Sequence, residues 1–536
     1  MDEIDLHFPM AGVDVSMAFC KQPNRPAYDG KYARTSPRAL NVRARDADGR
    51  YRGAMRPGLV KFVATRPGDQ EWITQDLCTL VTTGIPDPGG GSVQPSQSGR
   101  LVLLVATSAG NVYTFPAGGT VWTAATNSAS TNPPLNATGL VRSTVNNQLQ
   151  FFADGTHAVY YDPVTDEVLD WTLTDGIYPA DADGNLPRLI CTWRGRIVLS
   201  GLLRDPGNWF MSKVSDPFDF NYAPDVPVPA DAAIAGNVAQ QGKPPDVITA
   251  LIPYSDDILI LGMDHSIALF RGDPNYGGAI DHVTDSIGIA WGQAWCMDPS
   301  GVVYFFSNRT GIFGFVPGNQ PQRISTAIDP ILLTIDTGLF GIRMIWNDKY
   351  QGLHVFVTLL MEPQDTQHFF WEAKANAWWI DTFVDPNMNP LCCVAFDGNL
   401  QEQRVALLGG WDGYVRSIDS DATDDDGEVI NSEVWIGPFL TAYNDSVMLK
   451  ELQAVMASDS GDVAMAVYVG QTAEEALDST PVVNGTWSAG RNLTNLVRRA
   501  AYASYVQMLS VQTWAMESIR CIVDPQGKVR RRGKSM

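Results

Sequence analysis

The chain has 536 residues, of which 45% are hydrophobic, 10% aromatic and only 18% charged. Such a length exceeds one ordinary domain, and the apolar content is ample for a large core, so two or three domains are expected. The formal net charge of −21 argues against a general nucleic-acid binder, because the surface would repel phosphates.

The charge is uneven. Lys31 to Lys61 holds nine basic and two acidic residues, and Arg520 to Met536 holds six basic and one acidic. Those segments carry +7 and +5, leaving −33 for the remainder. The seven cysteines are odd in number, scattered and without a CxxC pair, so they read as reduced and mostly buried. The opening MDEIDLHFPM has no signal-peptide layout, and no apolar run approaches a membrane span, so none is expected.

In chain order, residues 1–62 form an Arg-, Gly- and Pro-rich segment without a hairpin period, expected to belong to a platform. From residue 63 the chain repeats one unit: an apolar or alternating run, a tight turn and a second such run. Seven stretches fit, at 101–115, 149–162, 195–212, 257–272, 301–316, 352–372 and 404–419. Their turns fall 45, 49, 60, 45, 54 and 49 residues apart. A propeller blade of four short strands takes roughly 40–50 residues, so one hairpin per blade fits this spacing. The fold class is therefore all-β, with a β-propeller of about seven blades, six to eight being compatible, over residues 63–420. The polar run SDATDDDGE at 420–428 marks a boundary, and longer strands then predict a C-terminal β-domain over 421–536 with a basic tail. EEAL at 474–477 begins a brief helix.

Counting from Ala422, the acidic run places Asp424, Asp426 and Glu433 at positions 3, 5 and 12 of an EF-hand-like loop, with Gly427 at 6. These three are the candidate metal ligands. Position 1 is Ala and the flanks read as strands, which favours a solvated loop. Arg271-Gly272-Asp273 is an adhesion tripeptide by composition and reads better as a turn with a local ion pair. Trp378, Trp379, Trp291 and Trp295 suit either core packing or sugar stacking, with core favoured. No nucleophile elbow, HExxH, P-loop or GxGxxG is present, and the six histidines have no metal-ligand spacing. No enzyme activity and no cofactor are expected.

The most specific segment is SPRALNVRARDADGRYRGAMRPGLVKF at 36–62. With Asn41-Val42-Arg43, the turn Asp46 to Gly49, Arg52-Gly53 and Arg56-Pro57-Gly58-Leu59, it resembles a segment recurring in tail proteins of short-tailed bacteriophages. Ala54 stands where those proteins commonly carry a second Gly. The stretch 301–326 looks like one of their blade segments, and 517–531 is similar to their closing strand and basic tail. The family that these segments resemble is that of tail nozzle proteins (tail tubular protein B-like).

The resemblance implies a structural, non-catalytic virion subunit, assembled in the host cytoplasm. It would form a homo-oligomeric ring, a hexamer, below the adaptor or portal ring, in contact with tail fibre or spike proteins. DNA would pass through the lumen without tight binding, which an acidic surface suits, since each phosphate contact adds affinity. On this reading Arg50, Arg52, Arg56, Arg530, Arg531 and Arg532 are the candidate contacts to partners or DNA. Two other classes compete with this one: a receptor- or glycan-binding tail propeller, and a polysaccharide-degrading propeller enzyme. The absence of Asp-box repeats disfavours a sialidase.

Overall fold

The computed structural model describes residues 2–22, 24–26, 32–68, 73–83, 100–116, 119–223, 229–309, 311–398, 404–440, 445–495 and 500–528. Hairpins dominate because the sequence alternates short β-branched or aromatic runs with turn residues. Three of the tightest loops, Ala109-Gly110, Asn147-Gln148 and Arg194-Gly195, have positive φ at both central residues. Each connects strands paired directly across it. A two-residue loop of that conformation matches the right-handed twist of the strands it joins.

Strands follow one another as antiparallel meanders, which define seven blades among the described residues. Blade one comprises Thr74–Thr83, Arg100–Ser108, Asn111–Pro116 and Thr123–Ala124. Blade two is Arg142–Asn146, Leu149–Ala153, Val159–Asp162 and Glu167–Asp170, with Thr126–Asn127 added in parallel at its outer edge. Blade three is Leu189–Trp193, Arg196–Ser200, Trp209–Met211 and Ile234–Ala235. Blade four spans Ile248–Ser255, Ile258–Met263, Ile267–Asp273 and Tyr276–Thr284. Trp295–Met297, Val303–Ser307, Gly311–Phe315 and Gln322–Arg323 form blade five. Blade six is Phe340–Asn347, Gly352–Leu359, His368–Glu372 and Ala377–Asp381. Blade seven takes Pro390–Asp397, Arg404–Gly410 and Val415–Asp419 from the end of this series, and Gly58–Lys61 from the N-terminal segment.

The interfaces between blades close the ring. Leu80, Val105 and Phe152 pack together between blades one and two, and Phe151, Trp171 and Ile197 between two and three. Trp193, Trp209 and Phe270 fill the next interface, and Ile252, Ile289 and Phe305 the one after it. Phe306, Met344 and Val355 belong to one buried core that spans blades five and six, and Phe356 and Leu408 to one that spans six and seven. Phe396 and Leu407 pack on Leu77 and Leu104, so blade seven returns to blade one. The all-β chain of small sheets is compatible with a seven-bladed β-propeller, and each hairpin expected from the sequence supplies the two middle strands of one four-stranded unit.

The C-terminal region forms two sheets. One contains Ser432–Leu440, Ala503–Ser510, Val463–Gly470 and Val483–Trp487. The other contains Asp2–Leu6, Met516–Lys528, Asp445–Met456 and Gly490–Asn495. Leu452, Met456 and Ile519 of the second share a buried core with Met465, Val506 and Met508 of the first. The expected helix is present as Ala473–Asp478, where Thr472 Oγ1 accepts from the Glu475 N–H at 3.0 Å.

The N-terminal segment, read from the sequence as part of the platform, is shared between both units. Ala39–Leu40 lies between the outer strand of blade six and Ser432–Leu440, so one nine-stranded sheet runs from the ring into the platform. Gly58–Lys61 pairs with Val415–Asp419 inside blade seven, which moves the propeller boundary drawn at residue 63 back to include this strand. Closing the ring with an early strand protects an edge that would otherwise be unpaired.

Candidate functional site at the joint between ring and platform

The arginines of residues 36–62 converge where blades six and seven meet the platform. Asn41 sets the local geometry. It is buried in the left-handed conformation (φ 54°), and its side chain spans the joint. Its amide N–H donates to the Asn431 carbonyl at 2.7 Å and the Thr382 hydroxyl at 3.1 Å, while its Oδ1 accepts from the Thr382 N–H and from Arg56 Nε, both at 2.9 Å.

Arg56 is the most enclosed of the set. Its two Nη groups donate to both Asp425 oxygens at 2.9 and 2.5 Å, and Nη2 also donates to the Thr382 carbonyl at 3.0 Å. The side chains of the pair are only 3% and 1% exposed. Burial alone would lower the Arg56 pKa; the Asp425 charge and hydrogen bonds more than offset that and raise it.

Arg43 repeats the motif one layer away. It reaches Asp381 bidentately at 2.7 and 2.5 Å, with its guanidinium 4.4 Å from the Phe370 ring centre. Burial pushes the Asp381 carboxyl up, but Arg43 and then Arg56 hold it below the ordinary carboxylate value. Arg45 pairs with Glu372 at 2.8 Å; burial still leaves that carboxyl raised. Arg52 pairs with Asp46 and lies 3.7 Å from Glu517 of the platform.

Between these side chains lies a cavity of about 300 Å³, whose walls include Arg43, Arg45, Asp46, Arg56, Tyr350 and Trp514. Within that wall Arg45 faces Glu372 and Arg52 faces Asp46, while Arg43 and Arg56 are paired with Asp381 and Asp425 outside it, so little of the arginines' charge is left for a phosphate. Chemically the joint is a clasp: bidentate pairs with fixed directions lock three chain segments together.

The expected contact residues therefore separate. Arg50 is exposed and paired loosely with Asp48 at 3.3 Å. Arg52 is mostly covered and engaged within the chain. Arg56 is corrected from an outward contact to a buried structural tie, because bidentate Asp425 and the Asn41 amide use its donors. Arg530, Arg531 and Arg532 lie outside the described residues.

The metal candidate is also corrected. Asp424 Oδ1 accepts from the Gly427 N–H at 2.8 Å as a turn cap. Asp426 pairs with Arg416 at 2.9 Å and Lys61 at 3.1 Å. Glu433 sits on a platform strand, bonded to Trp435 Nε1 and, at 2.7 Å, to Gln507. Cations and amide donors hold these carboxylates apart, and among the described residues no group of three or more His, Cys, Asp or Glu could hold a metal.

Trp378 and Trp379 are core residues, whereas Trp291 is partly exposed. Arg271 and Asp273 point to separate partners, Asp281 at 3.4 Å and Arg194 at 3.6 Å. Reading the sequence missed the acidic halves of the clasp, Asp381, Glu372 and Asp425. Only Asp425 carried a local signal, as the middle of three consecutive aspartates.

No family model matches the chain, and no curated protein does. Among solved structures it is similar to the extracellular domain of a hybrid two-component system from B. thetaiotaomicron, with 10% identity and a TM-score of 0.41. That match covers 74% of this chain and 43% of the other. Chaetomium thermophilum Raptor is similar over 68% of this chain and 29% of its own, at 8% identity and a TM-score of 0.37. The chain thus spans less than half of either structure, and likeness at this level carries no argument about function. No helix among the described residues is long and apolar enough to cross a membrane.

Proposed function

We propose that the chain is a structural subunit of a short-tailed bacteriophage tail, one copy in a hexameric nozzle ring below an adaptor or portal, through which DNA passes. The observation that carries this reading is the fate of residues 36–62. The segment that resembles the nozzle family is the one that joins propeller to platform, so the resemblance falls on residues with a demanding architectural task. Two further features support it. The net charge of −21 suits a conduit that must release DNA. The joint arginines are neutralised within the chain, so they do not add phosphate affinity.

The test is assembly. Native mass spectrometry of the purified chain, with and without an adaptor ring, should give a six-fold species, and a particle reconstruction should place it in the tail. A stable monomer, together with a reconstruction lacking the subunit in the tail, overturns the proposal.

A further inference from the structure

The axis of the propeller holds a second arginine cluster of opposite character. The first strand of each blade faces the centre, and there a cavity of about 230 Å³ is lined by Arg142, Thr144, Thr192, Gly292, Gln293 and Trp295 among others. Arg142 is 7% exposed. Its Nη1 donates to the Val141 carbonyl at 3.2 Å, and its buried Nη2 has no hydrogen-bond partner. Gly292 makes room for it: a Cβ there would stand 2.5 Å from Arg142 Nη2, and φ is +86°.

Arg343, on the first strand of blade six, is 1% exposed and lies within electrostatic reach of Arg142. Nε and Nη1 donate to the Leu391 and Ile342 carbonyls at 2.6 and 2.8 Å, and Nη2 is again unpartnered. Among the described residues neither arginine makes an ion pair.

The nearby groups do not balance these charges. Asp76 is the acidic neighbour; Ser143 donates to its Oδ2 at 2.5 Å, and its Oδ1 is buried without a partner. Burial pushes its carboxyl up to about 6. Cys393 is pushed up to about 12 and Cys392 well above its ordinary value, both first by burial, so their thiols stay neutral. Burial and the Arg142 charge hold Arg343 down at about 9. Two buried guanidiniums thus share one carboxylate that is not in contact with either. A buried charge without its counter-charge is costly, and a guanidinium does not escape by losing its proton at neutral pH.

We infer that the propeller axis is a binding site for a small oxyanion of the phosphate or sulfate class, held at Arg142 Nη2 with Arg343 supplying the second positive charge and Gly292 keeping the approach open. A tetrahedral anion offers several acceptors to unspent N–H groups, and guanidinium is the side chain best shaped for it. The cavity has room for such an ion with a few waters, each occupying roughly 30 Å³ in the liquid. The inference is independent of the tail assignment.

The test uses the full chain exchanged into phosphate- and sulfate-free buffer. Titration calorimetry with inorganic phosphate, against sodium chloride at matched ionic strength, should give one saturable site per chain and a rise in melting temperature. Arg142→Gln should weaken that binding at least tenfold, while Arg50→Gln leaves it unchanged. A crystal soaked in selenate should show an anomalous peak beside Arg142, a readout that needs no variant. Absence of saturable phosphate or sulfate binding, equal binding by a folded Arg142→Gln, or a soaked crystal with only water at the axis overturns the inference.

Discussion

The joint and the axis both bury arginines, and they use them in opposite ways. At the joint, Arg43 and Arg56 each meet a carboxylate in bidentate geometry, Arg43 Nη1 also donates to the Val42 carbonyl, and the remaining donors of Arg56 reach backbone and amide oxygens. At the axis, Arg142 and Arg343 keep one Nη group each unpartnered. The difference teaches that burial alone does not tell a structural cation from a binding cation. Completeness of the hydrogen-bond set does.

Substitution at the joint should break this contrast most strongly. Arg56→Ala leaves Asp425 charged and buried with no cation, and a loss of about 3–5 kcal/mol is expected in urea unfolding monitored by fluorescence. Arg142→Gln in anion-free buffer should instead leave the denaturation midpoint unchanged or raise it, since it removes a charge that has no partner. If both substitutions destabilise equally, the distinction between the two regions fails.

A second test uses pH. His354 and His368 pack beside the joint, near Arg43, Arg56 and Asp381, and burial holds them down at about 3 and about 4. His368 stays neutral usefully: its Nδ1 accepts from the Val357 N–H at 3.1 Å and its Nε2–H donates to Asn389 Oδ1 at 2.8 Å. The unfolded chain binds these protons from about pH 6.5 downward and the folded chain does not, so stability falls as pH drops through that window. The two histidines contribute up to two protons, about 2.7 kcal/mol per pH unit, offset below about pH 6 by the proton that folded Asp76 takes up. Asp381, with a lowered pKa, adds its loss only at still lower pH. His368→Gln should reduce the slope in pH-dependent urea titrations.

Smaller effects sharpen the comparison. Gly12 lies at φ +76°, where a Cβ would sit 2.4 Å from the Trp378 carbonyl oxygen. Gly12→Ala should cost more than about 1 kcal/mol, read as a lowered melting temperature. Arg50→Ala removes an exposed pair and should change stability by less than about 0.5 kcal/mol. A larger loss would mean that Arg50 belongs to the clasp after all.

The hairpins were legible because each is local. In LVLLVATSAGNVYTF, for example, the alternation, the turn and the returning strand all lie within fifteen residues. What could not be read depends on distant pairing. GLVK at 58–61 looks like any short apolar run, and only Val415–Asp419 makes it a blade strand. Arg56 reads as a surface charge until Asp425 meets it. Asp424, Asp426 and Glu433 matched a spacing rule, but spacing does not report which cations stand nearby. Arg142 gave no signal, since its meaning lies in neighbours contributed by other blades.

The strand at 58–61 also bears on how the protein is made. It leaves the ribosome early, yet its partner at 415–419 emerges roughly 350 residues later, on the order of 20–70 s at 5–20 residues per second. Six blades can form their own hairpins in sequence during that interval, while the seventh waits. Until then the nascent ring is an open arc with sheet edges and blade faces uncovered, the state in which neighbouring nascent chains can pair wrongly. Synthesis rate and chaperone cover should therefore govern the yield of this protein more than its final stability does.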